Sequence, residues 1–237
     1  MERALGGDRT ARTSSAWRVV AVVAWGGVLA TALLSALGWY ADVEPDPGMY
    51  GDTGDGPFGV LQRVTDTLSY FTIWSNIVVA VAATVLARGS HGRREQVLLL
   101  DALLMITVTA IVYQLLLAPS IDNEGWGLLT DPWLHVVTPL VAVATWLWAG
   151  PRGWLTLRLL PLSLVLPLAW VAWMLARGAV VDAYPYDFVN VAAHGYASAL
   201  LTIGLILVFG LVVASVLTAV DRLLSRRCAS GPVPGAS

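Results

Sequence analysis

Residues 97–118 read VLLLDALLMITVTAIVYQLLLA, twenty-two positions with a single charge, Asp101. A helix that crosses the hydrocarbon core of a bilayer needs about 20 mostly apolar residues. Five further runs in the 237-residue chain meet that length: Ala16–Trp39, Leu68–Ala87, Trp133–Gly150, Leu155–Ala176 and Val189–Val220. The expected fold is therefore an all-α integral membrane protein, a bundle of six transmembrane helices. Composition agrees, since 57% of residues are hydrophobic and 13% charged, roughly half the charged share of a soluble domain.

The first run follows Arg3, Arg9 and Arg12 and contains Ala30-Thr31-Ala32, which looks like a signal-peptidase site. That site falls inside the apolar run, and the run exceeds the length of a signal core, so the reading is a retained helix. No internal repeat is evident. The net charge of −2 excludes a nucleic-acid partner, which would need clustered positive charge. The single cysteine, Cys228, leaves no disulfide framework or cysteine-based metal site.

Arginine alternates between loops, and basic residues mark the cytoplasmic side. Arg3, Arg9, Arg12, Arg18, Arg88, Arg93, Arg94, Arg152, Arg158, Arg222, Arg226 and Arg227 fall on one side, twelve of fourteen. The other side holds Asp42, Glu44, Asp46, Asp52, Asp55, Asp66, Asp122, Glu124, Asp131, Asp182 and Asp187, with only Arg63 and Arg177. Both termini are expected in the cytoplasm, as a segment 1–15 and a disordered tail 221–237, in the inner (plasma) membrane. The loop 40–67, rich in Pro and Gly, reads as irregular and exposed. Trp17, Trp39, Trp133 and Trp154 read as interfacial anchors.

Polar side chains inside a span cost free energy unless partnered, so their positions are informative. Ser69, Thr72, Ser75 and Asn76 recur at helical spacing on one face of the second span. His135 and Thr138 share a face of the fourth. At ~1.5 Å rise per residue, Thr72 and His135 lie at one depth, roughly 4–6 Å below the outer boundary. Tyr113 and Gln114 reach that level on the third span, Asn190 and His194 on the sixth, and Tyr184-Pro185-Tyr186-Asp187-Phe188 just before it. Structural readings stand beside each of these. Thr72 can bond a helix carbonyl, Ser75 and Asn76 can tie helices together, and Asp131 with Pro132 can cap a helix rather than orient His135. Asp101, at the cytoplasmic end, is expected to pair with Arg93 or Arg94 or to reach water.

A hydroxyl and an imidazole at one depth satisfy the minimum for acyl transfer, with Thr72 as nucleophile and His135 as base. Asp131, Asp187 or Asn190 could orient the imidazole, and the oxyanion donor stays open among Asn76, Gln114 and a Tyr. The partner would be a membrane lipid or fatty-acyl ester, without cofactor or metal. The alternatives are a transporter or small-ligand-binding protein, and a haem held between His135 and His194.

Three stretches carry a family resemblance. Phe71-Thr72-Ile73 with Ala80-Val81, Trp133-Leu134-His135-x-x-x-Pro139, and Tyr184-Pro185-Tyr186-Asp187-Phe188 resemble the androgen-induced protein family and its bacterial six-helix relatives. The resemblance implies a hydrolase of fatty acid esters of hydroxy fatty acids, with an intramembrane Thr on Thr72 and a His on His135. Ser75 and Asn76 stand where the animal proteins carry an Asp-containing stretch.

Overall fold

A computed structural model describes residues 2–40, 45–120 and 123–229. Asp42, Glu44, Asp122, the tail Gly231-Pro232-Val233-Pro234-Gly235 and the side chains of Arg3, Arg9, Arg12 and Cys228 lie outside the described part. Seven helical segments make up the fold: α1 (Glu2–Ala36), α2 (Gly56–Thr67), α3 (Phe71–Ala87), α4 (Arg93–Val112), α5 (Gly127–Ala149), α6 (Leu157–Val181) and α7 (Val191–Ala229). No strand occurs among the described residues, only an isolated bridge between Met49 and Tyr184. Five stretches are long and apolar enough to cross a membrane: Thr13–Ala36, Arg93–Leu117, Gly127–Ala149, Leu157–Val181 and Val191–Arg227. The pair α2 and α3, bent by 71°, makes a sixth if counted as one span. The chain is thus a multi-pass membrane protein.

Helix α4 occupies the centre. Leu99 to Ile106 are all buried, and a helix apolar on every side has to be enclosed. Helices α3, α5 and α7 pack around it, and α1 lies along α3. The contact between α1 and α3 is close because its residues are small: Ala24, Ala80 and Ala83 are fully buried, and small side chains let membrane helices approach without help from the hydrophobic effect. On α7 the polarity runs the other way, with Leu200, Leu201, Leu205, Val208 and Val212 exposed, the outward apolar surface that lipid requires.

Several expectations need correction. The loop 40–67 is not irregular throughout, since Gly56–Thr67 is helical, with Asp55 as extended N-cap and Pro57 in its first turn, where a proline costs no hydrogen bond. Segment 221–237 is not wholly tail, because α7 runs to Ala229. Trp17 is buried in the core rather than anchored at an interface, and the Trp133 indole donates to the Val23 carbonyl inside the bundle. Asp101 is buried, and its Oδ1 has no hydrogen-bond partner among the described residues, so the expected Arg pairing is not made.

The two arginines that break the charge pattern are both consumed locally. Arg63 reaches the carbonyls of Ser35 and Ala36 at the end of α1 (3.1 and 3.4 Å), where the negative end of the helix dipole favours a cation. Arg177 pairs with Asp66 at 2.5 Å and lies over the Tyr50 ring.

The connection 45–51 is fastened to the link between α6 and α7 by Tyr184, whose N–H donates to Gly48 and whose carbonyl accepts from Tyr50. The Tyr184 ring lies over Gly178, where an added Cβ would stand 2.1 Å from it. Gly178→Ala is expected to overpack this seat by about 2 kcal/mol, read as a lower thermal midpoint of the detergent-solubilised protein; an unchanged midpoint would contradict the packing.

Candidate functional site

The α2–α3 bend places Thr72 in the first turn of α3, after Tyr70 as an extended N-cap (φ −74, ψ 136). First-turn amides have no partner within their helix, and the Thr72 N–H turns to the Tyr186 phenol oxygen at 3.4 Å. The Thr72 hydroxyl lies 2.9 Å from His135 Nε2.

His135 sits in a π turn, Trp133–Val137, and Tyr113 opens another, Tyr113–Leu117, at the end of α4. Such turns insert one extra residue into a helix and are frequent at functional sites. The α5 turn is seated by Gly26 and Gly27 of α1, where a Cβ would come within 3.0–3.3 Å of Trp133 and Leu134. Helix α3 holds it from the other side through Asn76, which donates to the Leu134 carbonyl at 3.2 Å and to the Thr72 carbonyl at 2.8 Å.

His135 Nδ1 lies 3.0 Å from Asp131 Oδ1 and 3.0 Å from the Asp131 carbonyl. Facing two acceptors, Nδ1 carries the ring proton. Nε2 is then a bare lone pair, and Thr72 Oγ1–H donates to it. Asp131 Oδ2 accepts from the Tyr113 hydroxyl and from Asn123 at 2.9 Å. The Tyr113 ring stacks on the imidazole with centroids 3.9 Å apart and planes inclined by 15°. The His135 and Asp131 side chains are only 11% and 15% exposed.

Seven of the residues singled out from sequence meet here: Thr72, Ser75, Asn76, Tyr113, Asp131, His135 and Tyr186. Ser75 donates to the Thr72 carbonyl at 2.9 Å and accepts from Thr109 at 2.9 Å. Asp131 is not a cap, since its helix begins four residues earlier at Gly127; its carboxylate orients the imidazole. Gln114 is exposed, one residue past the buried Tyr113. Tyr184 is buried in the fastening described above. Asn190 donates to the Pro47 carbonyl and accepts the Ala193 N–H, a capping role. Asp187 and His194 pair with each other at 3.0 Å on the exposed surface, so neither orients His135. Asn123 and Thr109 also belong to the cluster; Thr109 stands four residues before Tyr113 on α4, a helical spacing that marks it, whereas Asn123 lies in a connection where no spacing does. Among the described residues, no group of three or more His, Cys, Asp or Glu is arranged to hold a metal.

Below Thr72 an apolar cavity runs into the bundle between α3, α4, α6 and α7. Thr72, Tyr113 and Tyr186 border one end of it, Leu104 and Gly210 the other. Leu104 and Tyr113 are nine residues apart on α4, about 13 Å along its axis.

No known family model, curated protein or solved structure matches this chain.

The arrangement contains a hydroxyl, a base whose Nε2 faces it, and a carboxylate that holds the base, and the hydroxyl-bearing Thr72 also lines the apolar cavity. Removing the carboxylate in Asp131→Ala would leave the hydroxyl of Tyr113 and the amide of Asn123 short of an acceptor, and His135 Nδ1–H with the Asp131 backbone carbonyl alone. A loss of about 2 kcal/mol is expected, measured as a fall in thermal midpoint, with Asp131→Asn falling less.

Proposed function

We propose that the chain is an integral membrane lipid-ester hydrolase in which Thr72 is the nucleophile and His135 the base. The observation that carries this reading is the 2.9 Å approach of Thr72 Oγ1 to His135 Nε2, with Nδ1 held by Asp131. That is the hydroxyl, base and orienting group of nucleophilic acyl transfer. The resemblance to the androgen-induced protein family selects the same Thr and His.

The ester's hydrocarbon tail occupies the apolar cavity and its carbonyl stands at the mouth. Oγ1 attacks the acyl carbon while its proton passes to Nε2, and Asp131 stabilises the imidazolium so formed. Collapse expels the alcohol, which takes the proton from Nε2 and leaves an acyl ester on Thr72. Water then gives a proton to Nε2 and attacks that ester, releasing the fatty acid and restoring Thr72. Position in the first turn of α3 favours negative charge at Thr72, since the positive end of the helix dipole lies there.

We further propose six spans, the sixth being Leu68–Ala87 with α2 lying across its entrance, and both termini in the cytoplasm of a cell whose inner (plasma) membrane holds the protein. The arginine distribution supports this orientation; of its two exceptions, Arg177 is paired with Asp66 and Arg63 caps the end of α1 through backbone carbonyls. The site then opens toward the outer leaflet.

Purified protein is expected to label covalently with a fluorophosphonate probe and to hydrolyse long-chain esters. Thr72→Ala should abolish labelling, and His135→Ala should lower hydrolysis by ~10³-fold or more. Labelling that survives Thr72→Ala, or substrate flux across vesicles without hydrolysis, would overturn the assignment. Orientation is checked with Cys228, the single cysteine: a membrane-impermeant maleimide should reach it in inverted vesicles and not in intact cells.

A further inference from the structure

Acyl transfer through Thr72 creates an oxyanion on the substrate, and buried sites stabilise it with a donor aimed at where that charge develops. We infer that Tyr186 is this donor, a catalytic residue of the hydrolase reading on which the inference rests.

The other candidates are committed elsewhere. Asn76 spends its amide hydrogens on the Thr72 and Leu134 carbonyls. Gln114 is exposed. The Tyr113 hydroxyl donates to Asp131. The Ile73 and Trp74 amides are bonded to the Tyr70 carbonyl, and the Thr72 amide is bonded to Tyr186 itself.

Tyr186 has what the role needs. Its phenol oxygen is 3.4 Å from Thr72 Oγ1, and it borders the same cavity as Thr72. The side chain is 7% exposed, and its ring is clamped by Phe188, in parallel stacking at 5.2 Å, and by Tyr70, edge-on at 5.5 Å. The phenol oxygen accepts from the amide of Thr72, so its own O–H points away from that amide. In the free enzyme it faces the Thr72 oxygen, whose proton is already directed at His135. When Oγ1 bonds to the acyl carbon, the carbonyl oxygen becomes the anion, attached to the same carbon as Oγ1. A donor 3.4 Å from Oγ1 is then in reach of that oxygen. Tyr186 gives it a hydrogen bond and transfers no proton. The Thr72 amide donating into the phenol oxygen polarises its O–H, and so relays the positive end of α3 to the oxyanion. Burial pushes the phenol up to about 12, which keeps the donor protonated at physiological pH.

The test compares wild type with Tyr186→Phe in detergent, reading ester hydrolysis, the fluorophosphonate labelling rate and the thermal midpoint. A phosphonate oxygen occupies the oxyanion position, so both activities should fall by ~10²-fold while KM changes by less than about threefold. Rates within about threefold of wild type in a folded variant would overturn the role of Tyr186 and leave Thr72 as nucleophile. Wild type that neither labels nor hydrolyses would overturn the hydrolase reading and this inference together. A fluorinated tyrosine introduced at 186 preserves the hydroxyl and the packing but lowers the phenol pKa. Activity requires the protonated phenol, so the alkaline limb of kcat should move to lower pH. A limb that does not move would assign Tyr186 a packing role only, even where Tyr186→Phe fails to fold.

Discussion

A carboxylate held inside an apolar helix bundle is the constraint around which one end of this molecule is arranged. Charge taken out of water is costly unless it is paired and hydrogen-bonded, and Asp131 meets that condition with three side chains. The Tyr113 hydroxyl comes from the π turn of α4, Asn123 from the connection that follows, and His135 Nδ1 from the π turn of α5. Each donor is fixed in orientation by the bond it makes. His135 is left with one nitrogen bare and aimed at Thr72, so the reactive pairing follows from satisfying a buried charge.

The rest of the bundle holds that geometry from behind. The Gly26 and Gly27 seat on α1 accepts the Trp133 indole, while Asn76 pins the Leu134 carbonyl to α3. Ser69 is tied by its carbonyl to the Trp170 indole at 2.9 Å and by its hydroxyl to that of Trp173 at 3.1 Å, which anchors the bend preceding Thr72 to α6. Packing of small residues between α1 and α3 thus decides where a nucleophile on one helix meets a base on another.

Much of this was legible before any coordinates, and the limits have physical causes. Long apolar runs reveal spans because lipid fixes their length, and matching the depths of Thr72 and His135 needed only the helical rise. Helix α2 escaped notice because Pro57 and several glycines give its surroundings the composition of a loop. Asn190 and His194 do stand one helical turn apart, the His194 N–H bonding to the Asn190 carbonyl at 3.0 Å, but spacing does not reveal that Asn190 is the buried cap of α7 while His194 lies exposed beside Asp187, just before the break at Gly195 (φ 73, ψ 163). Tyr113 and Gln114 are adjacent, and composition alone cannot say which turns inward. The role of Asp131 depended on where its helix starts, a boundary that a Pro at position 132 disguised.

The two π turns carry a consequence of another kind. Each holds one residue more than regular helix would, so a single deletion within 113–117 or 133–137 would leave span length and hydropathy almost unaltered. It would nevertheless close the turn into regular helix, leaving the flanking helices in register but re-aiming Tyr113 or His135, which lie within the turns, and so breaking the Asp131 cluster. The site is therefore recorded in chain register, a quantity to which an apolarity profile is blind. Two chains with superimposable hydropathy could differ by one residue and by possession of the site.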